Sequence, residues 1–467
     1  MRHACLISVS FILSSKLLAD TMTTTGEYPT LPPDYQMLRF DENYSCLSNA
    51  VNRTDLFDPI KFIPLRANDP TWYLTVGGEF RERFEGNYNQ NFGIGGLGQN
   101  SYLLQRITLL TDWHFGERVR FFVEGISGIM EGESLPAPPV NQDQLDLQFA
   151  FLELIPYLTA DEKLALRVGR FGMSFGSGRL VATRAATNIP FRFDGLELIY
   201  TSPLWETTAF LTQPAADTGG INGEDHSTTF WGLYATRYFD HARTLGLDLY
   251  YLGIDNKYAS YVSGTADETR HSFGAREFGS RGGLDWNAEQ VVQTGTFGDN
   301  SILAWTAAID SGYTFDTDLQ PRLGIKSGIA SGSHSTTGGT METFDALYFK
   351  SGYFNDASLL RPQNIIGVHP NLTLQLSRKI EVDGGGNVFW RYSKHDAVYA
   401  VPGFVAIPAS ATASSYVGTA ADINFTWQIQ RHLSLQASYV HFFAGSYIHG
   451  AGGGDVNYVS TTFTFLF

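Results

Sequence analysis

Hydrophobic and polar residues alternate with a period of two in many short segments from Trp72 onward. In the first segment one parity is polar and the other is apolar, with Glu82 as the exception. The same alternation recurs in residues 103–115, 421–429, 433–439 and 459–467. A period of two is that of a β-strand whose two faces meet different surroundings. The pattern therefore predicts an all-β chain with many strands.

Alternation also suits a soluble β-sandwich, but three further features favour a transmembrane antiparallel β-barrel. The apolar parity is aromatic near the strand ends, as in the girdles of outer-membrane barrels. The polar parity carries arginines and carboxylates at mid-strand, which a water-filled lumen tolerates and a packed core does not. The last strand is aromatic and ends on Phe467, as is frequent in bacterial outer-membrane barrels. We therefore expect a barrel in the cell outer membrane.

The composition refines this expectation. The 467 residues include 48 Gly, 23 Tyr and 34 Phe, and only 17% are charged, against roughly 25% in soluble domains. No run of ~18 apolar residues follows the N-terminus, so helical spans are not expected. The chain from Trp72 onward, at ~10 residues per strand plus turns and loops, predicts roughly 16 to 20 strands and an even number. A barrel of that width leaves an aqueous channel.

The N-terminus is typical of a secretory signal peptide. Arg2 and His3 precede an apolar stretch, and the pattern predicts cleavage near Ala19. A disordered start and an inner-membrane anchor are the alternatives. Residues 1–19 are thus assigned to the signal, 20–70 to an irregular, proline-containing periplasmic segment, and 71–467 to the barrel. Removal of the signal leaves one cysteine, Cys46, so no disulfide framework is expected.

Short motifs through most of the chain resemble the alginate export family of bacterial outer-membrane proteins. They are Glu42–Ser45, Gly77–Arg81, Tyr102–Arg106, Arg120–Glu124, Leu166–Arg170, Arg192–Gly195 and His441–Gly445. The resemblance spans residues 42–467, with Phe171 where the family has Gln. It implies an 18-stranded barrel whose arginine-lined lumen conducts an anionic polysaccharide, an alginate-like polyuronate, by passive export.

Arginine is the basic residue of the first half of the predicted barrel. Residues 71–200 contain ten arginines and a single lysine, Lys163. A guanidinium binds carboxylates bidentately and stays charged, which suits the transport of a polyanion. The predicted substrate-conducting residues are Arg81, Arg83, Arg106, Arg120, Arg167, Arg170, Arg179, Arg184, Arg192 and Asp194.

Two roles are open for these residues. The first four arginines can form a ladder with Glu79, Glu85, Asp112 and Glu124 that stabilises the barrel, and such a ladder can still select anions. The remaining residues carry the family match and are expected at the constriction. Residues 344–350 start a segment that is either a loop at or within the pore or an ordinary strand, and residues 383–387 (DGGGN) are predicted as a turn.

Charge and motifs exclude some functions. The net charge of −15 disfavours nucleic-acid binding, and the histidine spacings predict no metal site and no cofactor. The expected partners are an anionic polysaccharide or organic anion, outer-membrane lipid and periplasmic secretion components. Besides export, we consider a porin for uptake of small anionic solutes or oligosaccharides and a plugged structural barrel. An outer-membrane enzyme using Ser174 with His441 or His449 is the remote alternative.

Overall fold

The computed structural model describes residues 32–96, 98–133, 137–218, 220–335, 339–401 and 403–467. The predicted signal peptide, residues 1–19, lies outside these ranges. In the part of the chain that the structure describes, no helix is long and apolar enough to cross a bilayer.

Eighteen antiparallel strands form one closed sheet in which each strand pairs with its neighbours along the chain. The first and last strands close it, with register pairs from Glu79↔Leu466 to Tyr88↔Asn457. In chain order the strands are β1 Trp72–Tyr88, β2 Asn100–Phe115, β3 Val119–Glu131, β4 Asp143–Leu158, β5 Lys163–Phe171, β6 Phe193–Thr201, β7 Trp205–Pro214, β8 Thr228–Tyr238, β9 Leu245–Tyr261, β10 Gly264–Arg281, β11 Leu284–Phe297, β12 Asn300–Thr314, β13 Arg322–Ala330, β14 Ile365–Ser377, β15 Ile380–Arg391, β16 Tyr416–Gln430, β17 Leu433–Ala444 and β18 Val456–Leu466. The predicted 18-stranded transmembrane barrel is confirmed.

The predicted parities match the two faces of the barrel wall. Leu109 is 58% exposed and Ile423 is 53% exposed on the outside, whereas Arg81 and Asp112 are buried on the inside. An apolar outer face is what a bilayer requires, and the charged inner face faces the lumen. The period-two alternation in these strands therefore arises because one face of each strand contacts lipid and the other faces the lumen.

The two ends of the barrel differ in their connections. One end has short turns, the longest being residues 315–321, and the other has loops that include residues 172–192 and 331–364. Outer-membrane barrels place short turns in the periplasm and long loops outside. We name residues 172–192 loop A and the described residues 331–335 and 339–364 loop B.

Loops A and B fold into the lumen and pair with each other. A parallel bridge joins Val181 to Tyr348. The Ala182 amide donates to the Tyr348 carbonyl at 2.8 Å, and the Lys350 amide donates to the Gly178 carbonyl at 2.8 Å. Residues 344–350, which the sequence left open between loop and strand, thus belong to a loop inside the barrel.

A hydrophobic core inside the barrel holds both loops against the wall. Loop residues such as Met173, Val181 and Phe349 pack in one buried cluster with wall residues such as Phe193 and Phe230. Burying one such side chain contributes roughly 1.5–3 kcal/mol. Because many residues share this cluster, it holds both loops in the lumen, where they narrow it.

The described part of the N-terminal segment, residues 32–62, packs against the periplasmic end of the barrel. Phe40 enters the lumen and makes edge contacts with Phe122, Phe149 and Phe151, with ring centroids 5.2–5.7 Å apart. Outside the barrel strands, the short elements are the 3₁₀ turns Arg39–Asp41, Ser45–Ser48, Ala50–Asn52 and Gln90–Gly93, the helices Asp58–Lys61 and Ser446–Gly450, and the strands Ile63–Pro64, Val398–Ala400 and Phe404–Ile407.

Candidate functional site

A cavity of about 360 Å³ lies in the lumen between the two loops and one side of the barrel wall. Loops A and B form one face, and residues of β12 to β18 with Arg83 of β1 form the other. The opposite side of the lumen is filled by the hydrophobic core described above. A solute that crosses the barrel therefore meets charged side chains from both faces of this cavity.

The loop face of the cavity is basic. Arg179 donates to the Tyr353 hydroxyl at 2.9 Å and lies 3.2 Å from a Glu289 carboxylate oxygen. Arg184 donates to the Phe349 carbonyl at 3.2 Å and forms no ion pair among those described. The Lys350 ammonium has no hydrogen bond or ion pair within the described ranges, and it lines the same cavity. Arg184 also lines the cavity, with its guanidinium over the rings of Phe191 at 4.3 Å and Phe349 at 4.9 Å. No carboxylate neutralises Lys350 or Arg184 among the described ion pairs.

The surroundings shift the pKa values of these loop cations. The pKa of Lys350 is lowered to about 7, first by burial and then by the positive charges of Lys326 and Arg179. Burial and the charge of Arg361 lower the pKa of Arg184 to about 9. Burial also acts to lower the pKa of Arg179, but Tyr353 and Glu289 raise it overall. Near pH 7 the arginines are charged, and Lys350 titrates.

The wall face of the cavity is acidic. Asp383 of β15 accepts a hydrogen bond from the Asn424 amide at 3.1 Å. Asp422 of β16 lies 3.3 Å from the Nε2 atom of His369. Asp310 also lines the cavity and is 3.3 Å from Arg322. The two faces thus present opposite charges across one narrow space.

Two of the ten predicted conducting residues hold loop A in place. The Arg81 guanidinium donates to the carbonyls of Ala185 at 2.8 Å and Thr187 at 3.0 Å. Arg106 donates to the same two carbonyls at 3.0 Å and forms an ion pair with Glu79 at 2.7 Å. Their charges are directed at the main chain of the loop, so they act as anchors of the constriction.

Five further predicted arginines form ion pairs in the lumen, one of them with the predicted Asp194. Arg120 binds Asp112, Arg167 lies 2.9 Å from both Glu153 and Glu197, Arg170 binds Asp194 at 2.7 Å, and Arg192 binds Asp146. Arg83 pairs with Glu85 and also reaches Asp356 of loop B at 3.0 Å. Glu124 takes part in none of the ion pairs described. Of the ten predicted residues, Arg83, Arg179 and Arg184 line the cavity.

Sequence reasoning missed Lys326, Lys350, His369, Asp383 and Asp422. The predicted turn at residues 383–387 is wrong, because these residues lie within β15. Three consecutive glycines suggested a turn, but here they make room in a strand. A Cβ atom on Gly385 would lie 2.5 Å from Nε2 of His369. The period-two pattern continued through β15 is the signal that would have placed Asp383 in the lumen.

Among the described residues of the lumen, no side chains are arranged as a metal site or as a catalytic serine–histidine pair. Within the described ranges, no group of three or more His, Cys, Asp or Glu side chains is placed to hold a metal ion. Ser174 lines the cavity, and none of the described hydrogen bonds joins it to a histidine. His441 contacts Asn457, and His449 contacts the Gly445 carbonyl.

A closed 18-stranded barrel with an apolar outer face and a charged lumen is an outer-membrane channel. A sequence model of alginate export proteins matches residues 72–462. The chain therefore belongs to the alginate export family, as its motifs indicated.

Solved structures of other channels share the fold. OccAB1 of Acinetobacter baumannii is 12% identical with a TM-score of 0.60, over 88% of this chain and 99% of that one. A BenF-like porin from Pseudomonas fluorescens Pf-5 is 9% identical with a TM-score of 0.58, over 84% and 99%. OccK2 (OpdF) of Pseudomonas aeruginosa, solved in complex with glucuronate, is 10% identical with a TM-score of 0.55, over 84% and 96%. No curated protein matches the sequence significantly.

Proposed function

We propose that this channel conducts small organic anions passively across the outer membrane, with their carboxylates passing along Lys350, Arg184 and Arg179. The observation that carries the proposal is a lumen cavity with two basic groups, Lys350 and Arg184, that no carboxylate neutralises among the described ion pairs. A guanidinium and an ammonium are suited to carboxylate ligands. The glucuronate bound to OccK2, a channel of the same fold, supports a solute of this class.

The size of the cavity favours small solutes. Loops A and B narrow the lumen, and the shared hydrophobic core fixes them there. A cavity of about 360 Å³ lies at the lower end of the range for small-molecule sites, roughly 300–1,000 Å³. A uronate or a short organic acid fits such a space without movement of either loop.

Export of an anionic polysaccharide is the second candidate, and family membership favours it. A linear polyuronate would have to thread between loops A and B in an extended conformation, one carboxylate at a time. Periplasmic secretion components would then deliver the polymer. Both candidates need the same basic face, so they differ in the length of the solute and not in its charge.

The test is the ion selectivity of the refolded protein in planar bilayers, with added glucuronate and added polyuronate chains of defined length. We expect an anion-selective pore whose current is reduced by glucuronate. The double variant Lys350→Gln/Arg184→Gln should raise the glucuronate concentration for half-block roughly fivefold or more, as expected when two partly solvated ion pairs are lost. Lys379→Gln is the matched control, because Lys379 is exposed in a periplasmic turn.

The outcomes separate the candidates. Passage of glucuronate with a permanent block by long chains would support the small-anion channel. Passage of long chains from one side to the other would favour export. A cation-selective pore that ignores the double substitution would contradict both.

A further inference from the structure

Two carboxylates on the acidic wall of the cavity, Asp383 and Asp422, lack the arginine partners that are common elsewhere in the lumen, and the basic neighbour of Asp422 is His369, with Nε2 3.3 Å away. Elsewhere, lumen carboxylates such as Glu153, Asp248 and Glu268 pair with arginines at 2.6–2.9 Å. None of the described ion pairs joins Asp383 or Asp422 to a lysine or an arginine. These two residues occupy adjacent lumen positions, since Asp383 lies opposite Asn424 in the register and Asp422 lies opposite Gly385.

Buried acceptor atoms on the same wall lack donors. The Oδ1 atom of Asn387, a residue only 3% exposed, has no hydrogen-bond partner among the described residues. The Oδ1 atom of Asp422 accepts no described hydrogen bond either, although Nε2 of His369 lies 3.3 Å from it. Both residues line the cavity. An acceptor in such a place is satisfied by a donor that enters from the cavity. The Asn387 acceptor is independent of the carboxylate charges, and it indicates a ligand with N–H or O–H groups.

The chemistry of the wall favours an ammonium group. The described part of the lumen has no cluster of ligands arranged for a metal ion. An ammonium has three donors and no acceptor, so it complements carboxylate and amide oxygens. A hydroxyl also donates to a carboxylate, but it carries no positive charge to pair with Asp383 and Asp422, which form no described ion pair with a lysine or an arginine. The loop face opposite, with Lys350 and Arg184, suits the carboxylate end of the same molecule.

We propose that Asp383, Asp422 and Asn387 form a subsite for an ammonium group, so that the channel prefers zwitterionic solutes, amino acids whose carboxylate lies against Lys350 and Arg184. This inference rests on the proposed function, because it adds a second contact to the same passing anion. The two faces then orient the solute across the cavity, with its negative end toward the loops and its positive end toward β15 and β16.

The test compares two acids that differ only in the group at the far end. The current of the refolded channel in planar bilayers is titrated at pH 7 with 4-aminobutyrate and with 4-hydroxybutyrate, and again with the 6-amino and 6-hydroxy acids of the hexanoate series. Wild-type current should be blocked by one of the amino acids at a roughly two- to fivefold lower concentration than by its hydroxy partner, the ratio expected of a partly solvated ion pair. Asp383→Asn/Asp422→Asn should abolish that difference and leave block by the hydroxy acid intact.

The control is Asp255→Asn, which makes the same chemical change at a residue outside the cavity and should keep the preference. Equal block by the amino and hydroxy acids at both chain lengths in the wild type would overturn the ammonium subsite while leaving the anion channel standing. So would a preference that survives the double substitution. A conducting wild-type pore that neither acid blocks would overturn the proposed function and this inference with it.

Discussion

Lys350 lies where loops A and B meet, and its ammonium is the basic group of the cavity whose charge changes near neutral pH. Its pKa of about 7 results first from burial and then from Lys326 and Arg179, which outweigh the opposing charges of Asp310 and Glu289. A lysine is charged below its pKa and neutral above it. The attraction for anions at this position is therefore present below pH 7 and is lost as the pH rises through 7.

This predicts that anion selectivity, measured as the reversal potential in a salt gradient, falls between pH 6 and pH 8. Lys350→Arg should remove most of this change, since an arginine stays charged. His369→Gln serves as a control, because His369 also lines the cavity. If the pH dependence persists in Lys350→Arg and disappears in His369→Gln, the effect belongs to the histidine and the assignment to Lys350 is wrong.

For the predicted arginines, the sequence alone indicates the face of the barrel wall on which each residue lies, but not the group that its side chain contacts. The sequence places Arg81, Arg83 and Arg106 on the lumen face by their parity, and the structure agrees. Whether a lumen arginine meets a solute or a carbonyl depends on a loop about a hundred residues away, such as the contact of Arg81 with Ala185. No local pattern contains that information.

At the scale of elements, loop A depends on its two arginine anchors. Arg81→Ala removes the bonds to the loop carbonyls of Ala185 and Thr187. A weakening of the docked state by about 1.4 kcal/mol makes the opened loop about tenfold more populated. We expect roughly tenfold faster trypsin cleavage after Arg179 or Arg184, together with a noisier single-channel current.

The matched control for loop A is Arg118→Ala. Arg118 also donates to two carbonyls, those of Ile155 and Pro156, but it does so on the exposed side of a periplasmic turn. Its loss should leave cleavage of loop A unchanged. Equal protection of loop A in Arg81→Ala and in the wild type would show that the hydrophobic core holds the loop without its anchor.

The same elements mark the limit of sequence interpretation. Strands were predictable because lipid and lumen impose a period of two on every strand that spans the membrane. The inward course of loops A and B was not, because contacts such as Lys350 with Gly178 join residues far apart in the chain. The acidic wall was missed at β15 for a different reason, since glycines there serve packing against His369 and not a turn.

At the scale of the whole molecule, the lumen is divided along its length. The side next to β3 to β12 holds the apolar core with loops A and B, together with ion pairs such as Arg167 with Glu153. The side next to β12 to β18 holds the charged cavity and a second apolar cluster that includes Phe389 and Phe442. At the periplasmic end the N-terminal segment joins the apolar side through Phe40. Met37 of the same segment lines the cavity, so we expect the position of the segment to affect how the cavity opens to the periplasm.

Arg39 is one of the groups that attach the N-terminal segment to the barrel at the seam between β1 and β18, together with contacts such as Asp55 with His432. It donates to the Gly78 carbonyl at 3.1 Å and to a main-chain oxygen of Phe467 at 3.0 Å, and it pairs with Glu42. Removing one partner of a buried ion pair costs roughly 3–5 kcal/mol, because the other charge stays buried. Arg39→Ala should therefore release the segment, raise single-channel conductance and lower the temperature at which the barrel unfolds.

Arg53→Ala is the control within the same segment, since the Arg53 guanidinium donates to the Leu47 carbonyl in that segment. Unchanged conductance in Arg39→Ala, with a lowered unfolding temperature, would mean that the segment supports the seam without bordering the path of the solute.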